Sequence, residues 1–396
     1  MSDPITADPM LRSFLLDRLG LRGPLWTADM ASRAAQDLGM IQIDSIRVTG
    51  LRNHEIAWAA RTDAPVADFY QLLYGARGML ETHYPIFATR RDWLPWFLKD
   101  FGKTIKVDRL SEMRPLMRRI ARHIAEHGPV SPADFQSERV VGGFNTIKAT
   151  TKALEYLFYL GKVQIAGRTT HFHRLFDLTA RIAPDLLQPV PDWRRANGLF
   201  FVQSALSVLK LATAQQLAER TAHHIGSWRG GGLPMARLLV AKAQEQGLIA
   251  PVPFDGKATH LALPGDIDAF DARASILDEE ARLIPPLDNL LFSRRRLTEL
   301  FGFTYKFEAY TPQHQRRFYF ALPILYRDAV AGQIDAKKDG TTWQVLDLDI
   351  IAPLPPEVLR RAVHRLAGIA GAERVAVNTG VPAKWRRGLA GPVTRM

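Results

Sequence analysis

Residues 128–178 restrict the fold of this chain more than any other stretch, because they order two helices and a hairpin within one short span. In Gly128-Pro129-Val130-Ser131-Pro132-Ala133-Asp134-Phe135, Ser131 is placed to cap a helix. Pro132 takes its first position, where a missing N–H costs nothing. A second helix is expected from about residue 145 to residue 160, with Ile147, Leu154, Leu157 and Phe158 packed inward. Lys148, Lys152 and Tyr156 form a line at spacing four along it, and Gly161 ends it. Two strand-like pieces follow at 162–166 and 174–178, joined by the tip Arg168-Thr169-Thr170-His171-Phe172-His173. Helix, helix, hairpin is the order of a winged helix, whose recognition helix can enter a DNA groove. His171 and His173 read as residues of the wing, since two alternate histidines without a third ligand are weak grounds for a metal.

The order recurs without a detectable sequence repeat. Beyond a linker at 184–191, a helix at 193–211 is followed by one capped by Thr213, a third opened by Pro234, and strands at 248–254 and 259–262. The Trp228-Arg229-Gly230-Gly231-Gly232 turn before that third helix reads as a connector, because it lacks the lysine and spacing of a P-loop. At the front of the chain, Asp8-Pro9 starts a helix stopped by Gly20, and Thr27 can cap a second that ends at Gly39. With the extended run that follows, these two helices make the front half of a similar unit. From about residue 284 the texture changes to period-two alternation at 304–310 and 316–322. Further strands at 329–336 and 342–349 flank the turn Lys338-Asp339-Gly340, so an antiparallel β domain is expected. A last helix at 356–370 and a strand at 374–377 close it. The segments are therefore 1–127, 128–184, 192–268 and 280–396.

The 396 residues exceed one ordinary core, and a charged fraction of 23% is that of a folded chain. Lys and Arg number 52 against 40 Asp and Glu, and the net charge of +12 favours an anionic partner, nucleic acid first. There are no cysteines, which excludes disulfides, thiolate catalysis and Cys-ligated zinc and fits a reducing cytoplasm. No signal-length apolar core opens the chain, and no apolar run is long enough to span a membrane.

Two features carry possible chemistry. In Leu38-Gly39-Met40-Ile41-Gln42-Ile43-Asp44-Ser45-Ile46 the polar Gln42 and Asp44 interrupt an apolar run. At strand spacing the two side chains share a face. They are either a catalytic amide and carboxylate, or a solvent-facing amide and a turn-capping aspartate. Leu110, Met113, Met117, Ile120 and Ile124 make a helix stripe, with Arg114, Arg118 and Arg122 beside it at spacing four. That row is either a solvated face or a phosphate-binding one.

The run Gln42-Ile43-Asp44-Ser45-Ile46 resembles the Gln–apolar–Asp motif of the YcaQ/AlkZ-like winged-helix DNA glycosylases. So do Leu157-Phe158-Tyr159-Leu160-Gly161-Lys162-Val163 and Arg174-Leu175-Phe176-Asp177-Leu178. Near the C-terminus the resemblance continues through Arg294-Arg295-Arg296, Glu308-Ala309-Tyr310-Thr311-Pro312, Arg316-Arg317-Phe318-Tyr319 and Val330-Ala331-Gly332-Gln333-Ile334-Asp335. It implies an α+β fold of three tandem winged helices with a C-terminal antiparallel β-barrel-like domain. It also implies removal of N-alkylated purines, N7-alkylguanine above all, including unhooking of interstrand crosslinks. Asp44 would activate or orient water and Gln42 would hold water or lesion. No metal or organic cofactor is implied, and the partner is double-stranded DNA bound by a monomer. Candidate DNA contacts are Arg114, Arg118, Lys148, Lys152, Arg168, His171 and His173. The chain departs from the family in two places: His83 and Pro85 stand where an aromatic and a histidine follow the glutamate aligned with Glu81, and Phe318 replaces glycine. A winged-helix transcription regulator without chemistry shares the architecture but has no use for Gln42 and Asp44 on one face.

Overall fold

The computed structural model describes residues 9–82, 86–98, 107–136, 138–141, 146–188, 193–225, 232–257, 259–271 and 279–393. His83, Pro85, Asp8 and most of the 228–232 turn lie outside them. The fold is mixed α+β. It forms two compact units, one of residues 1–69, 201–224 and 233–396 and the other of residues 70–200 and 225–232, which cut across the four segments marked from sequence. Among the described residues no helix is long and apolar enough to cross a membrane.

The first unit begins with helices Pro9–Arg18 and Ala28–Asp37. Gly20 turns out of the first at φ +66°, where an added Cβ would strike the Trp26 ring. Gly39, at φ +76°, turns the second into the short strand Met40–Gln42. A helix at Asn53–Ala59 has no counterpart in the sequence reading. Every residue of it is buried, so it carries no polar face and no amphipathic stripe. Later in this unit, strands Ala212–Thr213, Ala250–Pro251 and His260–Ala262 form one small antiparallel sheet. Between them lie helices Ala214–Ile225 and Gly232–Glu245. Thr213 caps as expected: its Oγ1 accepts from the Gln216 N–H, and Gln216 Oε1 accepts from the Thr213 N–H at 3.1 Å.

The C-terminal part of the same unit is a six-stranded sheet in the order Ala281–Leu283, Leu322–Tyr326, Ala329–Asp339, Thr342–Ile350, Arg374–Val377 and Gly391–Pro392. It departs from the expected antiparallel domain in two respects. Thr342–Ile350 pairs with Arg374–Val377 in parallel, because helix Pro356–Ile369 crosses over between them. The alternating stretches at 304–310 and 316–321 are not strands. In the second of them the backbone N–H groups are met by carboxylates instead: Glu308 accepts from Arg317 and Phe318, and Asp335 from Tyr319 and Phe320. The basic segment Lys384-Trp385-Arg386-Arg387 lies in helix Ala383–Leu389, which buries Trp385 and Leu389. Trp343, Phe320, Ile334 and Leu359 are in the core, and Leu51, Ile56 and Ala59 belong to the same cluster. The front of the chain is thus packed on its C-terminal sheet.

In the second unit, helix Val107–His127 buries Met117, Ile120 and Ile124 against helix Ala149–Tyr159 and the hairpin Val163–Arg168/Arg174–Leu178. The helix expected at Ser131 is only one turn, Pro132–Asp134. Its cap is made, with Ser131 Oγ accepting from Ala133 N at 3.1 Å, but the turn does not propagate. A strand at Thr146–Lys148, paired with Arg139–Val141, displaces the start of the next helix to Ala149. A second hairpin joins Met79–Glu81 to Phe87–Arg90.

Candidate active site and nucleic-acid surface

Strand Met40–Gln42 buries Met40 and Ile41 and leaves Gln42 half-exposed; Ile43 is buried and Asp44 half-buried. Asp44 lies past the strand end, in a turn it closes itself: the Ile46 N–H donates to Asp44 Oδ1 at 2.7 Å. The turn-capping reading of Asp44 is therefore correct as geometry. It uses one carboxylate oxygen. Neither Oδ2 nor the Gln42 side-chain amide has a hydrogen-bond partner among the described residues.

The segment is held from distant parts of the first unit. Upstream, the buried Lys210 ammonium donates to the Asp37 carbonyl at 2.8 Å, and Asn289 Nδ2 to the Leu38 carbonyl at 3.3 Å. Burial pulls the Lys210 ammonium below its ordinary value, opposed by Asp266 and Asp37. At the strand end, Asn53 Nδ2 donates to the Gln42 carbonyl at 2.9 Å. Downstream, the Lys338 N–H donates to the Val48 carbonyl at 2.8 Å and Trp343 Nε1 to the Thr49 carbonyl at 3.0 Å. Deeper still, Arg61 and Asp288 form a buried two-pronged ion pair at 2.7 and 2.9 Å. None of the contacts to the segment carried a signal in the sequence.

A Ser–His pair in this unit has the wrong polarity for a nucleophile. Arg220 Nε donates to His224 Nε2 at 3.1 Å, which leaves the proton on Nδ1 facing Ser204 Oγ at 3.0 Å. Burial, and then the Arg220 charge, hold His224 well below the ordinary imidazole value.

The remaining candidates lie in the second unit and separate into two groups. Arg114 and Arg118 are exposed on the outer face of helix Val107–His127, and so are Arg119 and Arg122. His171 and His173 are exposed at the hairpin tip, their ring centroids 6.5 Å apart. Lys148, Lys152 and Arg168 have protein partners. Lys148 Nζ donates to the Phe135 carbonyl at 3.1 Å, and Lys152 pairs with Glu155 at 3.5 Å and lies over the Tyr156 ring.

Arg168, expected among the DNA contacts, is engaged inside the protein. Its Nε and Nη2 donate to the two oxygens of Glu81 at 2.9 and 2.6 Å, with the two side chains 8% and 1% exposed. Its guanidinium also lies 4.1 Å from the Phe172 ring centroid, and Phe172 sits at φ +66°. Tyr74 donates to the same carboxylate. Burial, then the Glu81 charge, push its phenol far above the ordinary value, so it stays protonated. A guanidinium so engaged braces the hairpin and does not face solvent phosphate. Glu81, read from sequence only as an aligned position, is the other half of that brace.

A model of the family described as DNA glycosylase AlkZ-like matches residues 35–371, a span that includes Gln42, Asp44 and the C-terminal signature. The chain belongs to the AlkZ-like DNA glycosylase family. Among solved structures it is similar to the Streptomyces sahachiroi DNA glycosylase AlkZ, with a TM-score of 0.58 and 13% identity over 95% of this chain and 100% of that one. At that identity the likeness speaks for the fold alone.

Proposed function

We propose that the chain is a monofunctional DNA glycosylase that hydrolyses the N-glycosidic bond of N7-alkylguanine, including guanines bridged in interstrand crosslinks. Its helix–helix–hairpin units are read as three tandem winged helices that hold double-stranded DNA. Family membership over a span containing Gln42-x-Asp44 carries the proposal. The open second oxygen of a held Asp44 supports it.

Alkylation at N7 leaves the base cationic, so it departs as a neutral molecule with the C1′–N9 electron pair and needs little help from a general acid. The sugar becomes oxocarbenium-like and requires a water and a nearby negative charge. Asp44 Oδ2 supplies the charge and accepts the water proton as oxygen bonds to C1′. Gln42, able to donate and accept, holds that water or the lesion. No lysine lies in the motif, so the product is an abasic site rather than a Schiff-base adduct.

The test is release from duplex DNA carrying N7-methylguanine or a nitrogen-mustard-type crosslink, read as strand breaks after alkaline cleavage of abasic sites. Wild type gives breaks and Asp44→Asn does not. Breaks at equal rate in both would remove Asp44 as the catalyst, and no release by wild type would favour a DNA-binding regulator.

A further inference from the structure

We propose that Asn53 is a positioning residue for the Gln42–Asp44 segment, an inference that rests on the catalytic reading above. Asn53 is fully buried. Its amide reaches in two directions: Nδ2 donates to the Gln42 carbonyl at 2.9 Å, and Oδ1 accepts from the Leu287 N–H at 2.9 Å. Nδ2 also lies 3.5 Å from the Leu287 carbonyl. A helix of this kind is normally stabilised at its first turn by a cap, and here Glu55 already does that by accepting from Arg52 N at 2.6 Å. Asn53 is therefore not needed to end the helix; it ties the last residue of the strand to the 287 loop.

The bond to Gln42 matters because of where it falls. It fixes the plane of the peptide between Gln42 and Ile43, and so the direction in which the chain leaves the strand toward Asp44. At the other end of the turn, Val48 and Thr49 are fixed by Lys338 and Trp343. Both ends of the span carrying Asp44 are anchored, and between them Asp44 anchors itself through Ile46. Displacement of a reacting group by about 1 Å can cost on the order of a hundredfold in rate. Release of the Gln42 end should therefore slow chemistry without weakening DNA binding, since Asn53 reaches no surface.

Asn53→Asp keeps the volume but replaces the donor by an acceptor against the Gln42 carbonyl; Asn53→Ala removes it without adding charge. Both are compared with wild type and Asp44→Asn in single-turnover release of N7-methylguanine from a duplex. Duplex affinity and thermal unfolding are measured in parallel. Val363→Ala, in the core on helix Pro356–Ile369, serves as a destabilised control. The expected result is a rate lower by at least about tenfold in both Asn53 variants with affinity within about twofold, and no such loss in the control at a comparable fall in Tm. A rate near wild type in Asn53→Ala, with Asp44→Asn inactive, overturns the positioning role alone. An equal loss in the control overturns it too, by making the effect one of stability. Full activity in Asp44→Asn overturns the catalytic reading and this inference with it.

Discussion

Removal of the Arg168 guanidinium separates a brace from a phosphate contact. In Arg168→Ala, Glu81, whose side chain is 1% exposed in the intact pair, loses the bonds at 2.9 and 2.6 Å that matched its two oxygens. Tyr74 still donates one hydrogen bond, but a phenol cannot neutralise a carboxylate. Breaking a buried pair from one side costs about 3–5 kcal/mol. The bond from Arg168 to the Phe172 carbonyl at 3.0 Å and the stacking on that ring are lost as well, so the tip at 169–173 loosens with the pair. Because Arg168 and its lost partners at Phe172 lie in this hairpin, amide hydrogen exchange across Val163–Arg168 and Arg174–Leu178 should accelerate on the order of a hundredfold. The double variant Glu81→Gln/Arg168→Met removes both charges together and should recover most of the loss, as buried pairs replaced as a unit are close to neutral. Exchange and urea unfolding measure the first effect, and the salt dependence of duplex binding measures the second. A stability cost under about 1 kcal/mol for Arg168→Ala, with a shallower salt slope, would refute the brace and restore Arg168 to the DNA surface.

Two further outcomes follow from other parts of the chain. Arg118→Ala, on the exposed face of helix Val107–His127, should weaken duplex binding uniformly across sequences and reduce the salt slope by about 0.9, with no change in unfolding; an unchanged slope makes that row a solvated face. Asp255 is pushed up by burial but held well below the usual carboxylate range by donors from His260, Lys257 and Thr259. A depressed carboxylate stabilises the fold above its unfolded value near 4 and loses that contribution as pH falls through the folded value. The stability of wild type should therefore decline from about pH 5 downward, and Asp255→Asn should start lower and flatten that decline in urea titrations.

What could be read from the sequence was what its local chemistry declares. Gly20, Gly39 and Gly161 end elements where expected because each takes a positive φ that only glycine adopts freely. The strands Val163–Arg168 and Arg174–Leu178 fall where strand-like pieces at 162–166 and 174–178 are expected, except that Arg168 belongs to the first strand and not to the tip. The misreadings share one cause, a partner far away in sequence. Arg168 looked like a solvent-facing wing residue because Glu81 stands 87 positions earlier. The alternation at 316–321 reads as a strand because nothing local shows that Glu308 and Asp335 take its backbone donors. Helix Asn53–Ala59 was illegible because a helix buried all round has no periodicity to detect. For the same reason the motif itself was found while its holders were not: Trp343 meets Thr49 across 294 positions.

The turn made by Asp44 decides how its own substitution must be read. A carboxylate that closes a turn can also act on water, because under the proposed mechanism the two roles fall on different oxygens. Oδ1 holds the Ile46 N–H, and this bond fixes the side chain so that Oδ2 has one direction. Orientation obtained before substrate arrives is one of the larger contributions a protein can make to rate. Asp44→Asn retains an oxygen for Ile46 and so keeps the turn; it removes only the charge and the proton-accepting oxygen. Asp44→Ala removes the turn as well, at a cost of about 1 kcal/mol for the lost hydrogen bond. If the charge is what matters, the two variants lose base release to the same extent while differing in exchange at the Ile46 amide. If Asp44 only shapes the loop, Asp44→Asn stays active and Asp44→Ala does not, and chemistry must be sought in another residue.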